Sequence, residues 1–182
     1  MPLTKTEKET LLRVARAAVE TIVKRVDPPL IEAQGASMQE RRGAFVSLHK
    51  GGRLRGCIGM FASDTPLCKT IAGMAKAAAT QDTRFAPVLP DELQDIEIEI
   101  SALSPLKKIK DVSEIEVGRH GIYIIKGMNR GVLLPQVATE LGLGREEFLD
   151  QTCLKAGLPA GSWRKGAEIL VFEAEIFREG SG

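Results

Sequence analysis

The sequence predicts an α+β protein, because helical and strand patterns are mixed without the regular strand–helix–strand alternation of a parallel sheet. Three observations support this class. Apolar residues recur at helical spacing over 11–26 and again over 67–78. Apolar and polar residues alternate over 44–49 and 96–100, as in strands with one buried face. Gly51-Gly52 follows the first of these strands and is typical of a tight turn between antiparallel neighbours.

The helices are predicted from apolar stripes. In the first helix, Thr6 and Glu9 form a capping box and Pro28-Pro29 ends the helix. Its stripe consists of Leu11, Ala15, Ala18, Ile22 and Val26. A second helix packs through Leu67, Ile71, Met74, Ala75 and Ala78. Two short helices are predicted within 136–157, the second ending at Gly157.

The remaining strands lie later in the chain. The segment 122–135 is predicted as a second hairpin that turns near Met128 to Arg130. The segment EILVFEAEIF, 168–177, is predicted as one strand because it alternates throughout. One face of that strand carries Leu170, Phe172, Ala174 and Ile176.

The 182 residues are the length of one domain or of two small subdomains. Breaks in the pattern near 102–112 and 158–167 divide the chain into a discontinuous larger part and an inserted middle part. The larger subdomain is predicted over about 1–105 and 165–182, with an antiparallel sheet flanked by helices, and the smaller α+β subdomain over about 106–164.

Composition excludes several classes of function. Lys and Arg total 25 against 24 for Asp and Glu, so the net charge of +1 gives no general attraction to nucleic acid or to anionic lipid. One Trp and one Tyr give little aromatic surface for stacking on bases. No apolar run approaches the roughly 20 residues of a membrane helix, and no secretory signal is visible, so a cytoplasmic protein is expected.

The three cysteines, Cys57, Cys68 and Cys153, are widely spaced and form no CxxC pair, and the only histidines are His49 and His120. A structural zinc site needs closely spaced thiols or imidazoles, so no metal and no cofactor are predicted. A chain with this apolar content has no need of disulfides, and we expect reduced thiols.

The segment RLRGCIGMF, 53–61, combines strand character with two glycines, two arginines and a cysteine. In an extended chain Arg55, Cys57 and Gly59 share one face and Gly56 lies on the other. A neighbouring guanidinium favours the reactive thiolate, and a glycine leaves room where a ligand comes close. The residues alone leave two interpretations open: a reactive thiol, or a small buried cysteine among glycines that mark bulges.

Several segments resemble the AMMECR domain family in the family's order: LRGCIG at 54–59, DTRFAPV, IEISALSPL, GRHGIYI, GVLLPQVA and FLDQTCLKAGL. The resemblance covers about 11–177, and the chain is identified as a microbial member. It implies a two-subdomain α+β fold with a cleft between the subdomains, bordered by LRGCIG. It also implies an activity that is not settled, in a pathway shared with Memo-like and radical-SAM proteins.

Four further residues are candidates beside this motif. Asp82 and Arg84 of DTRF either hold a turn or, for Arg84, bind an anion in the cleft. His120 is the one histidine in a family motif and is either the general base for Cys57 or a solvated turn residue. Gln136 follows Pro135 at a helix start and is either a cap or an amide in the cleft. His49 is interpreted as a strand-surface side chain.

Two functions follow from these residues, and the sequence leaves both open. The first is an enzyme with Cys57 as nucleophile or soft ligand and His120 as base. Its substrate-binding residues are Arg55, Gly56, Gly59, Asp82, Arg84 and Gln136. The second is a non-catalytic protein- or peptide-binding adapter that acts with Memo-like and radical-SAM partners. The adapter needs no catalytic triad, and the sequence motifs include no Ser/His/Asp set and no phosphate loop.

Overall fold

A computed structural model of the chain describes residues 2–33 and 35–180. It divides into two compact units, one comprising the chain up to Leu103 and again from Glu175, the other comprising Ser104–Ala174. Each unit has an antiparallel sheet and helices, which confirms the predicted α+β class. Within the described ranges, no helix combines the length and the apolar character needed to span a membrane.

The elements follow one another along the chain in a mixed order. The α-helices are α1 (Lys5–Lys24), α2 (Ala36–Gln39), α3 (Leu67–Thr80), α4 (Pro135–Glu140) and α5 (Arg145–Lys155). The strands are β1 (Ala44–Lys50), β2 (Arg53–Met60), β3 (Ile96–Leu103), β4 (Lys107–Lys108), β5 (Gly121–Lys126), β6 (Asn129–Leu133), β7 (Glu168–Phe172) and β8 (Ala174–Arg178). A 3₁₀ helix, Pro90–Asp95, leads into β3.

The first unit is built on a four-stranded sheet with the strand order β2-β1-β3-β8. β1 lies between β2 and β3 and is antiparallel to both. Alternate residues of β1 and β3 point to one face, where α1 and α3 pack, and form the core with Leu11 and Ile71. The strand residues of this core are Ala44, Val46, Leu48, Ile96, Ile98, Ile100 and Ala102. The opposite face of the sheet is therefore the one that carries the polar residues of the same strands.

Helix α1 begins two residues earlier than the sequence predicts. The Oγ1 of Thr4 accepts a hydrogen bond of 3.2 Å from the N–H of Glu7, and the Glu7 carboxylate accepts one of 2.9 Å from the N–H of Thr4. Two overlapping capping boxes are present in TKTEKE, and the earlier one is used, so the predicted cap at Thr6 is wrong. The helix ends at Lys24 with Arg25 in the left-handed region, before the two prolines.

The hairpin predicted at Gly51-Gly52 is present. Both glycines have positive φ, 57° and 74°, which is what a two-residue type I′ hairpin turn requires. The ladder contains a bulge: Leu48 pairs with Gly56 and His49 pairs with Leu54, which leaves Arg55 as an extra residue in β2.

The second unit has its own sheet, in the order β4-β7-β5-β6, packed against α4 and α5. Its β5–β6 hairpin turns at Gly127 and Met128, slightly before the predicted position. The inward residues predicted for α5 are buried as expected: Phe148, Leu149, Thr152, Cys153 and Ala156.

The predicted single strand over 168–177 is wrong, because the chain changes sheets at Glu173. β7 pairs with β5 in the second unit, whereas β8 lies beside β3 in the first. The backbone of Glu173 is instead hydrogen-bonded to Ser104. The C=O of Glu173 accepts from the N–H of Ser104 at 2.8 Å, and the N–H of Glu173 donates to the Oγ of Ser104 at 2.9 Å. Residues 165–174, assigned above to the larger subdomain, therefore belong to the second unit.

Candidate functional site

Cys57 lies on β2, at the edge of the first sheet, on the face opposite the core. Its neighbours in sequence, Gly56 and Ile58, point inward towards the helices. Cys57 is half-buried, whereas Cys68 and Cys153 are both buried. The thiol of the sequence motif is thus neither sealed in the core nor fully solvated.

The sulfur of Cys57 has a hydroxyl partner on the neighbouring strand. Ser47 lies directly opposite Cys57 in the β1–β2 ladder, and its Oγ donates to the Sγ at 3.2 Å. The N–H and C=O of Cys57 are bonded on the outer side of β2, so this is a non-hydrogen-bonded pair, in which side chains of opposite residues lie closest. A hydroxyl in this position stabilises negative charge on the sulfur.

The backbone of Cys57 is held by the DTRF loop, where a further strand would otherwise pair. The N–H of Cys57 donates to Asp82 Oδ2 at 2.8 Å, and Arg84 Nη2 donates to the C=O of Cys57 at 3.4 Å. Arg84 also forms a fork with Asp82, with Nε–Oδ1 and Nη2–Oδ2 distances of 3.0 and 2.8 Å. These two side chains therefore satisfy the open edge of β2 and fix the backbone that carries the thiol.

The Asp82–Arg84 pair is strongly asymmetric in exposure. The side chain of Asp82 is 5% exposed and that of Arg84 is 58% exposed. Hydrogen bonds from the Arg84 side chain, and then from the N–H of Cys57, hold the pKa of Asp82 well below its usual range. Asp82 is consequently ionised at neutral pH and anchors Arg84, whose guanidinium lies 5.5 Å from the centre of the Phe85 ring. The cation beside Cys57 is thus supplied by Arg84.

Arg55 does not take the position that strand alternation predicts. Its Nε and Nη2 donate to the two carboxylate oxygens of Glu92 at 3.1 and 2.9 Å, and its Nη1 donates to the C=O of Ala86 at 2.8 Å. The expected contact between this guanidinium and the sulfur of Cys57 is replaced by these bonds, because the bulge in β2 redirects the side chain. Arg55 instead fastens the loop that carries Asp82 and Arg84.

Glu92 is the acceptor of this second cluster. Its side chain is 14% exposed and also accepts from Lys50 Nζ at 3.0 Å and from the N–H of Leu89 at 3.0 Å. The bonds from Arg55, followed by the one from Leu89, lower the pKa of Glu92 to about 2. Glu92 is therefore ionised at neutral pH.

The two glycines of the motif make room for protein atoms. A Cβ at Gly56 would lie well inside contact distance of the C=O of Ala78 in α3, so Gly56 permits close packing of the helix on β2. A Cβ at Gly59 would collide with the ring of Phe45. The sequence predicts that Gly59 leaves room for a ligand, but the ring of Phe45 occupies this space.

His120 and Gln136 lie in the second unit. The Nδ1 of His120 accepts from the N–H of Glu116 at 3.1 Å, and its Nε2 is 3.9 Å from the Glu173 carboxylate. Gln136 is half-buried in the first turn of α4. The roles assigned to these two residues, and the cleft, stay predictions.

Sequence reasoning missed Ser47, His49 and Glu92. The alternation over 44–49 places Ser47 and His49 on the outer face, but their neighbours on β2 depend on the bulge. His49 differs from the expected surface side chain, since its Nε2 is buried and has no hydrogen-bond partner among the residues that the structure describes.

Cys57 lies outside two of the cavities of the protein. Within 2–33 and 35–180, no three His, Cys, Asp or Glu side chains are grouped so that they could hold a metal ion. A groove of about 730 Å³ runs along α1 in the first unit, and a cavity of about 540 Å³ lies beside Trp163 in the second. Cys57 and Arg84 line neither of them.

The fold and site define a class of α+β proteins in which an edge strand presents a half-buried cysteine capped by an Asp-Arg loop. The AMMECR1 family model matches residues 12–177, and the chain belongs to that family, which confirms the resemblance of its motifs. A protein of Methanosarcina mazei is 40% identical over 186 residues, covering 97% of this chain and 94% of its own. A protein of Methanothermobacter thermautotrophicus is 41% identical over 190 residues, covering 98% and 97%.

A solved structure is also similar to this chain. The crystal structure of an uncharacterised protein from Pyrococcus horikoshii superimposes with a TM-score of 0.82 and 36% identity, covering 98% of this chain and 94% of that one. The two proteins therefore share their fold. The names of these three relatives state no activity.

Proposed function

We propose that the protein is a thiol-dependent enzyme that acts on a small anionic substrate, with Cys57 as the nucleophile. The observation that carries this proposal is the arrangement around one half-buried sulfur. The sulfur accepts a hydrogen bond from Ser47, and the backbone of the same residue accepts one from the exposed guanidinium of Arg84.

The chemistry assigned to this arrangement is attack of the sulfur on an electrophilic carbon. The thiol proton is transferred to a base, a bond forms between Sγ and carbon, and the leaving group departs with the electron pair of its own bond to that carbon. Arg84 binds a carboxylate or phosphate of the substrate through the edge of its guanidinium that faces solvent. Asp82 keeps this cation in place, since it is ionised and nearly fully buried.

The proposal predicts a preference of Cys57 for an anionic reagent. Iodoacetate and iodoacetamide have the same leaving group and differ in carrying a carboxylate or a neutral amide. The rate with iodoacetate divided by the rate with iodoacetamide is expected to be about five times larger at Cys57 than at glutathione. The reason is that one partly exposed ion pair contributes roughly 1 kcal/mol. The rates are measured by mass spectrometry of the Cys57 peptide in the folded protein.

Matched variants test the source of this preference. Arg84→Gln is expected to abolish it and Arg84→Lys to retain part of it, whereas Arg53→Gln removes an exposed arginine of the same strand and leaves the ratio unchanged. A wild-type ratio equal to that of glutathione contradicts anion binding by Arg84. If Cys57 reacts with neither reagent, the enzyme proposal fails, and the adapter, which requires no reactive thiol, becomes the better description.

A further inference from the structure

One buried polar atom on the outer face of the first sheet has no partner in the described part of the chain: the Nε2 of His49. Leaving such an atom unpaired is costly, and native structures rarely do so. An imidazole nitrogen in this condition is ready to exchange a hydrogen bond or a proton with a group that changes during the reaction.

The strand register places His49 on the same face of the sheet as the thiol. His49 and Ser47 are alternate residues of β1, so their side chains share the outer face, and Ser47 lies opposite Cys57. Diagonal cross-strand neighbours have Cα atoms about 7–8 Å apart, which is within reach of long or aromatic side chains. His49 pairs with Leu54 beyond the bulge, and its Nε2 makes no hydrogen bond to the sulfur of Cys57 in this structure, so proton transfer requires the imidazole to turn towards Sγ.

The charged groups around this face come from three strands. Glu97 of β3 lies opposite His49, and Glu99 lies opposite Ser47. Arg178 of β8 donates to Glu99 at 3.2 Å, and Arg55 of β2 is held by Glu92. Glu97 and Glu99 are thus the carboxylates that face His49 and Ser47 across the β1–β3 pair.

The other histidine is less suited to accept a proton. The Nδ1 of His120 already accepts from the N–H of Glu116. A neutral imidazole has one accepting nitrogen, so protonation of His120 would break this bond. The Nε2 of His49 has no bond to lose within the described residues.

We propose that His49, rather than His120, is the general base for Cys57. The inference rests on the proposed function. The proton of the Cys57 thiol passes to Nε2 of His49 as the bond between Sγ and the substrate carbon forms, and the imidazolium then returns this proton to the leaving group.

The test is the pH dependence of Cys57 alkylation by iodoacetamide between pH 5 and 9, in the wild type and in two matched variants. His49→Gln is expected to lower the rate at pH 7 at least tenfold and to shift the profile to higher pH. His120→Gln is expected to follow the wild-type profile. Thermal unfolding of each variant confirms that the fold is retained.

A second measurement covers the case in which His49→Gln does not fold. The ¹⁵N shift of His49 Nε2 is followed through a pH titration of the wild type and of Cys57→Ser, and the two curves are expected to differ. The inference would be overturned by identical ¹⁵N titration curves in the wild type and Cys57→Ser. It would also be overturned if the alkylation rate of Cys57 is unchanged in His49→Gln, or if this rate falls only in His120→Gln. All of these leave the proposed function standing, whereas that function fails separately if wild-type Cys57 is no more reactive than Cys68 and Cys153.

Discussion

Replacement of Gly56 with valine is expected to destabilise the first unit by at least about 3 kcal/mol, or to prevent folding, because overpacking here meets backbone rather than a movable side chain. The Cβ would collide with the carbonyl oxygen of Ala78, so α3 would have to move away from β2. The measurement is the free energy of unfolding from urea titration.

Gly73 is the matched control, because it lies in the same helix, α3, and a Cβ added to it would have no other atom within 4 Å. Gly73→Ala is expected to stabilise the protein by about 0.5–1 kcal/mol, since alanine lowers the entropy of the unfolded chain and favours the helix. If Gly56→Val unfolds with the wild-type free energy, the close approach of α3 to β2 is refuted.

Arg55→Ala is expected to cost about 2–3 kcal/mol, because hydrogen bonds to charged groups contribute more than neutral ones and Glu92 loses its bidentate partner. The C=O of Ala86 loses its donor in the same variant. Arg55→Lys is expected to recover only part of this loss, since an ammonium cannot reproduce the fork. Urea unfolding at neutral pH measures the cost, and Arg53→Ala, on an exposed side chain, is the control.

The same pair gives an expected pH dependence. The pKa of Glu92 is lowered from 4.5 to about 2 in the folded protein, so its contribution to stability is present above pH 4.5 and is lost as the pH falls towards 2. Arg55→Ala is expected to weaken this acid sensitivity. Equal stability of the wild type and Arg55→Ala at pH 7 would show that the Arg55–Glu92 pair does not hold the loop.

The sequence predicts those elements whose patterns are local and strong. The β1–β2 hairpin follows from Gly51-Gly52, because only a few turns accept two residues with positive φ. Helix α3 follows from an apolar stripe at helical spacing, and strand β3 follows from strict alternation of apolar and polar residues. The α1 cap is the instructive exception, since Thr4 and Thr6 both begin a capping box and the spacing alone does not choose between them.

The division of the last predicted strand into β7 and β8 could not be predicted from the local sequence pattern. Alternation continues unbroken from 168 to 177, and the exchange of sheets at Glu173 depends on its bonds with Ser104, almost 70 residues earlier in the chain. Contacts at such separation are decided by tertiary packing, and no window of neighbouring residues contains them.

Sequence reasoning placed Cys57 and Arg55 on one strand but did not predict the partners of their side chains. Strand alternation places Arg55 beside Cys57, but one bulge residue redirects Arg55 to Glu92 and leaves Arg84 as the cation near the thiol. A bulge has no reliable sequence signal, so the partners of Ser47 and His49 across the strands were also hidden.

The most direct test of a reactive Cys57 is to map the adduct formed by one equivalent of iodoacetate on the folded protein. Peptide mass spectrometry is expected to find the label on Cys57, because Cys68 is buried and burial also raises the pKa of the Cys153 thiol. A label spread evenly over the three cysteines, or absent from Cys57, would contradict a reactive thiol at this position.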